Sequence, residues 1–154
     1  MANQNFNQQQ RGANYGRPTA SQHEPVNLKS YDFKKWIKSQ IDNKTVEFAD
    51  KFGMQIKIGG LTTSQIRNFF GEMRRIQMKG FENQKPSFFL LKPKLAYAVK
   101  RHDNKGMRNF YELFDEVYRL IDVENVVEGE KNYKNMMEIM EAVLAYHKFH
   151  GGRE

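Results

Sequence analysis

The chain has 154 residues, enough for one domain with a modest core of its own. It contains no cysteine, which excludes disulfides, thiol catalysis and cysteine-type zinc sites and suits a reducing compartment. The net charge of +7 is unevenly spread: residues 60–105 hold ten basic and three acidic side chains, whereas residues 106–154 hold six and ten.

That asymmetry leads us to expect a polyanion against the middle of the chain and a basic or neutral protein surface against its end. A solvated charged surface accounts for the same charges. No apolar run exceeds five residues ("LAYAV", "AVLAY"), against about 20 for a membrane-spanning helix and at least about 7 for the core of a signal peptide. The expectation is a soluble, cytoplasmic chain that does not engage a membrane.

Residues 1–28, "MANQNFNQQQRGANYGRPTASQHEPVNL", carry five Asn, five Gln and two Pro with few aliphatic side chains. Such a segment buries too little apolar surface to offset the entropy of ordering. A disordered leader is expected there, followed by a single helical-bundle domain over 29–154. Arg11, Tyr15 and Arg17 offer RNA contacts, although a passive tail explains them more simply.

From Ser30 onward the apolar residues recur at helical spacing, and strand-like alternation is nowhere sustained. Phe33, Trp36, Ile37 and Ile41 predict a short first helix; Phe48, Ala49, Phe52 and Ile56 predict a second that stops at Gly59-Gly60. The third carries Ile66, Phe69, Phe70, Met73 and Ile76 and is started by Thr62 and Gln65 in capping-box spacing. A polar loop is expected through Pro86. Pro93, which has no N–H, is expected in the first turn of a fourth helix, ahead of Leu95, Ala98, Val99 and His102.

The loop "DNKG" then leads to a fifth helix with Met107, Phe110, Tyr111, Phe114, Val117, Tyr118 and Ile121. The last carries Tyr133, Met136, Met137, Met140, Val143, Leu144 and His147. The fold class is therefore all-α, a compact bundle of about five to six mostly antiparallel helices. The last helix has a second apolar line, Ile139, Ala142, Tyr146 and Phe149, which marks it as central to its own bundle or shared with a neighbouring molecule. Central burial is the simpler reading.

"GGLTTSQIRNFFGEMRRIQMKG", residues 59–80, invites comparison with a phosphate loop, but it lacks the Gly-x4-Gly-Lys-Ser/Thr pattern, and helix initiation explains Thr62 and Gln65. His147 and His150 are three apart without a convincing third ligand and read as packed imidazoles rather than a metal site. Glu138 and Glu141 read as the wet edge of their helix, and the methionines as adaptable core. With no nucleophile–base arrangement and no nucleotide fingerprint, neither catalysis nor a cofactor is expected.

At 100° per residue, with Ile66 at zero, the apolar stripe of the third helix lies between about −80° and +40°. Arg74 and Arg67 fall near about 80° and 100°, and Arg75 and Lys79 near about 180° and 220°. On the next helix Lys94, Tyr97 and Arg101 share a line, with Lys92 just before it and Lys100 on a neighbouring face. Two adjacent helices would thus offer basic groups with an aromatic among them, suited to following a phosphate backbone and stacking on a base.

Three segments, "LTTSQIRNFFGEMRRI" (61–76), "FFLLKPKLAYAVKRHD" (88–103) and "IMEAVLAYHKFHGGRE" (139–154), carry more than a fold class. In order and spacing they resemble the small subunit of type III-A CRISPR-Cas effectors, the Csm complexes. The resemblance spans roughly residues 45–154 and is most specific in the closing "YHKFHGGRE"; the leader and the Trp36 helix find no place in it. It implies a noncatalytic helical subunit that stacks in several copies beside the backbone subunits holding the guide RNA, near the large subunit, and lines the path of the target RNA. It further implies RNA contact at Arg67, Lys94 and Arg101, to which the residue geometry adds Arg74, Arg75, Lys79, Lys92 and Lys100. The alternative is a helical protein-interaction adaptor that touches no nucleic acid.

Overall fold

A computed structural model describes residues 24–154. The expected leader lies outside the described residues as far as residue 23. Residues 24–28 lie along the bundle, where the Val26 N–H donates to Gln55 Oε1 (2.5 Å).

Among the described residues, six α-helices follow a 3-10 turn at Leu28–Ser30: α1 (Phe33–Lys38), α2 (Asn43–Ile58), α3 (Thr63–Lys79), α4 (Lys85–His102), α5 (Lys105–Tyr118) and α6 (Val126–Phe149). No strand occurs among the described residues, and no helix among them is long and apolar enough to cross a membrane. The starts are set by short polar side chains that accept the otherwise orphaned first-turn N–H groups. Asp32 caps α1 through Lys35 N, Asn104 caps α5 through Met107 N, and Asn125 caps α6 through Glu128 N. At α2 the exchange is reciprocal: Asp42 accepts from the Thr45 N–H while Thr45 Oγ1 accepts from that of Asp42.

The stop at Gly59-Gly60 has the geometry expected of a Schellman end. Gly60 takes φ +94°, the left-handed region that suits glycine, and the N–H groups of Gly60 and Leu61 turn back to the carbonyls of Lys57 (3.1 Å) and Ile56 (3.0 Å). Two residues later Gln65 Oε1 accepts the Thr62 N–H (3.0 Å) and α3 begins, so this stretch is a helix start rather than a phosphate loop.

Four boundaries differ from expectation. α1 ends at Lys38, leaving Ile41 half-buried outside it, and Lys105 and Gly106 belong to α5 rather than to a loop. Ile121 is buried in the turn after α5 rather than within the helix. More consequentially, α4 starts at Lys85, so Pro86 occupies its first turn and Pro93 lies well inside it. The helix tolerates Pro93 because that position is exposed, as is Phe89 four residues earlier, whose carbonyl loses its N–H partner on a side that water reaches.

Neighbours run antiparallel. Arg75 meets Ser87 and Gln65 meets Asn104 across the α3–α4 hairpin, and Lys92 meets Asp115 across α4–α5. α6 packs along α2 and also against α1 and α3, and its Tyr133, Met136, Met137, Ile139, Met140 and Val143 are almost fully buried. The middle of the last helix is thus central to the bundle, whereas Phe149 on its second apolar line is 77% exposed. One aromatic cluster, Tyr31, Phe33, Trp36, Phe48 and Phe52, joins α1 to α2; another, Phe81, Phe88, Tyr118 and Tyr133, closes the opposite region. Edge-to-face and offset rings of this kind contribute beyond the area they bury.

Two buried asparagines of α6 tie α1 down. Asn135 Nδ2 donates to the carbonyls of Ile37 (2.9 Å) and Ser39 (3.1 Å), and Asn132 Nδ2 donates to Ile37 as well (3.1 Å). These donors satisfy carbonyls that a six-residue helix leaves open at its end.

Candidate nucleic-acid interface

The expected basic residues divide between two grooves on either flank of α3. Around the α3 axis, α6 packs toward the side of Thr63, Arg67 and Arg74, and α4 toward the side of Gln65, Asn68 and Glu72, roughly 140° away by helical geometry. Arg67 and Arg74 are therefore not brought beside Lys94 and Arg101. A helical wheel does not say where the neighbouring helix sits, and this separation depends on it.

The α3–α6 groove, of about 500 Å³, has Ile66, Phe70, Gly71, Leu144 and Ala145 along it and Arg67, Arg74 and Lys148 around it. Arg74 lays its guanidinium over the Phe70 ring, 5.0 Å from the centroid, with its stem packed and its fork outward. Arg67 reaches Glu154 (3.3 Å), which Lys148 also pairs. All three partners of that cluster are half or more exposed, so the pairing is weak.

The α3–α4 groove, of about 640 Å³, brings Leu90, Pro93, Lys94, Tyr97 and Arg101 of α4 opposite Gln65, Asn68 and Glu72 of α3. Lys94 stands 3.9 Å from Glu72, too far for a hydrogen bond. Glu72 is already engaged by Arg75, which grips it with two nitrogens (2.9 and 2.8 Å) and adds Gln84 (2.9 Å) and Ser87 (3.0 Å). The Arg75 hydrogen bonds to Glu72 hold that carboxyl below its ordinary range. Lys92 is similarly engaged, 2.9 Å from Asp115, a carboxylate it shares with Arg119. The hydrogen bonds from Arg119 and Lys92 depress Asp115, and the one to Asp115 raises Lys92.

Arg74, Lys79, Lys100 and Arg101 are exposed and form no ion pair among the described residues. Four of the eight expected positions thus carry uncompensated charge, whereas Arg75 and Lys92 act as internal braces. Spacing along the chain reveals only the Arg75–Glu72 part of that bracing, three residues apart on α3, because Ser87 and Asp115 lie on other helices.

The closing segment "YHKFHGGRE" folds back as a clasp. His147 is buried with Nε2 2.7 Å from the Leu61 carbonyl oxygen, so Nε2 carries the proton and donates. Gly152 N–H returns to the His147 carbonyl (2.8 Å), and the Arg153 carbonyl accepts the Thr63 N–H (2.9 Å), one of the open donors at the start of α3. Gly152 lies against the imidazole, where a Cβ would overlap His147 Cε1. Burial pushes His147 below the ordinary imidazole range, partly offset by the Leu61 carbonyl. The second imidazole, His150, contacts Asp50 (2.5 Å), and no group of three potential metal ligands occurs among the described residues.

Lys148, Asn68 and the clasp have no place among the residues expected from the sequence. Lys148 is visible there as the cation beside His147, but its position on a groove depends on the packing of α6 against α3.

Among known proteins, the family model described as Csm2 Type III-A matches residues 39–153. Comparison with curated proteins and with solved structures gives no significant match.

Proposed function

The chain belongs to the Csm2 type III-A family, the noncatalytic small subunit of the Csm CRISPR effector complex, and on that premise we propose that it lines the RNA path of the assembled complex through the two basic grooves beside α3. The observation that carries the reading is the set of uncompensated cations on α3 and α4, with Arg74, Lys79, Lys100 and Arg101 unpaired among the described residues and Arg67 and Lys94 held only loosely. Arg75 and Lys92 sit in the same region with their charge committed internally, and they contribute mainly by keeping α3, α4 and α5 in place.

Such a surface binds backbone shape and charge without reading bases, which suits a complex in which guide pairing supplies sequence. Several copies along one guide–target RNA would add effective concentration without tight individual sites. The acidic start of α6, with Glu124, Glu128 and Glu130 around exposed Val126 and Val127, supports contact with a basic surface of a backbone or large subunit. A cytoplasmic setting follows from membership of an RNA-guided effector.

The test replaces Arg67, Lys94 and Arg101 together by Ala and measures target-RNA capture by the assembled complex at several salt concentrations. The expected result is an intact fold, weaker capture and a shallower salt dependence, by about 0.7 in log–log slope for each single-strand phosphate no longer neutralised. Capture unchanged at every salt concentration overturns the assignment and favours an adaptor that touches no RNA.

A further inference from the structure

We propose that the α3–α4 groove is a seat for one unpaired RNA nucleobase, stacked on Tyr97 with its flanking phosphates on Lys94 and Arg101. The inference rests on the RNA-lining reading above and narrows it from a charged surface to a defined subsite.

Because α4 runs unbroken through Pro93, Leu90, Lys94, Tyr97 and Arg101 fall on one line, within about 60° of arc around the helix. Apolar, cationic, aromatic and cationic side chains thus follow one another along the groove. Lys94 and Arg101 are separated by about 10 Å of helix rise, with Tyr97 between them. Tyr97 is 68% exposed. Among the described residues its ring pairs with no other aromatic and its hydroxyl makes no hydrogen bond. Phe149 is comparably exposed, yet it packs against Tyr146 and His150. Phe89 on the same helix is also exposed, yet its ring meets Phe88; Tyr97 is left with a free π face.

Opposite it, Asn68 is exposed and its amide is unengaged among the described residues, placing both a donor and an acceptor where a stacked base presents its edge. The groove volume of about 640 Å³ is in the range of small-ligand sites and holds a nucleotide. Charge selects among occupants. An apolar peptide would leave Arg101 without an anion, whereas a nucleic-acid strand supplies a phosphate on each side of its base.

The test uses the full chain and single-stranded RNA oligomers carrying 2-aminopurine, whose fluorescence is quenched on stacking. Wild type should quench the probe. Tyr97→Leu should abolish quenching and weaken binding about 5- to 140-fold, the range of one base–aromatic stack, with the salt slope unchanged. Tyr97→Phe should retain both. An RNA with an abasic spacer at the probe position should bind wild type as weakly as normal RNA binds Tyr97→Leu. If Tyr97→Leu and the abasic RNA both bind like their parents while Lys94→Ala and Arg101→Ala still lower the salt slope, the base seat is overturned and the charged surface stands. If the charge variants have no effect either, the RNA-lining reading fails with it. If Tyr97→Leu spares RNA binding but releases the chain from its complex, the groove seats protein instead, which also overturns the proposal.

Discussion

His147 Nε2 lies 2.7 Å from the carbonyl oxygen of Leu61, so the last helix is bonded to the residue between α2 and α3. The bond fixes the start of the helix that separates the two basic grooves. It also makes one imidazole a reporter on the integrity of that junction.

Burial lowers the His147 pKa below its ordinary value of 6.5, so the folded state keeps the ring neutral where the unfolded chain would protonate it. The stability tied to that neutral ring is fully present above about pH 6.5 and is lost as pH falls below it toward the folded-state value. Wild type should therefore lose more stability between about pH 7.5 and 5.5 than His147→Gln does, as read by urea denaturation at each pH. At the upper end of that range the substitution should itself cost about 1–3 kcal/mol by disturbing the bond to a buried carbonyl. Parallel pH profiles for the two proteins would remove His147 as the titrating group.

Gly152→Ala should destabilise the chain by about 1–3 kcal/mol, because the added methyl overlaps the His147 ring. Gly71→Ala should do the opposite. Gly71 is an exposed position inside α3 where an added methyl meets nothing within 4 Å, so the change brings only helix propensity, about 0.5–1 kcal/mol. Thermal melts of the two variants should shift in opposite directions.

Asn135→Leu removes one of the two amides that hold the end of α1 to α6, leaving the Ser39 carbonyl without its donor and the Ile37 carbonyl with Asn132 alone. We expect a destabilisation of about 1–3 kcal/mol and local release of α1. Trp36 is the only tryptophan and is 2% exposed, so its emission should move to longer wavelength before global unfolding. Emission that shifts only with the helical circular dichroism signal would mean that α1 does not open separately.

Arg75→Ala and Arg101→Ala should separate stability from RNA capture. Arg75 ties Glu72, Gln84 and Ser87 together across α3 and α4, and its removal should lower the denaturation midpoint modestly, as expected for a partly exposed pair. Arg101 is exposed and unpaired among the described residues, so its removal should leave stability within about 0.5 kcal/mol while reducing the salt slope of RNA capture. Denaturation curves and capture assays on both variants check the division; equal effects of the two on capture would contradict it.

Helix number, type and core stripes are legible in the sequence because a period of 3.6 is a local property that each segment carries by itself. Ile66, Phe69, Phe70, Met73 and Ile76 are all buried as their spacing requires, and the Gly59-Gly60 stop and Thr62–Gln65 start are local backbone chemistry. Family membership is legible for a related reason: the closing "YHKFHGGRE", the most specific part of the resemblance, is a local stretch in which contact with His147 leaves Gly152 no room for a side chain. The start of α4 is not legible in the same way, because a proline's cost depends on whether the carbonyl it deprives faces water, and packing settles that.

A basic all-α bundle of this family, with its residue types on the outer faces of α3 and α4, thus follows from the order of the amino acids. Which charges are available does not. Lys92 is neutralised by Asp115 of another helix, Arg75 is paired with Glu72 on its own helix and locked further by Ser87 of α4, and Arg67 and Lys94, close together on the expected face, are parted by α3 itself. The physical reason is that an ion pair or a groove between helices needs both in register, and the angle at which a neighbour docks is fixed by the whole core rather than by either helix alone.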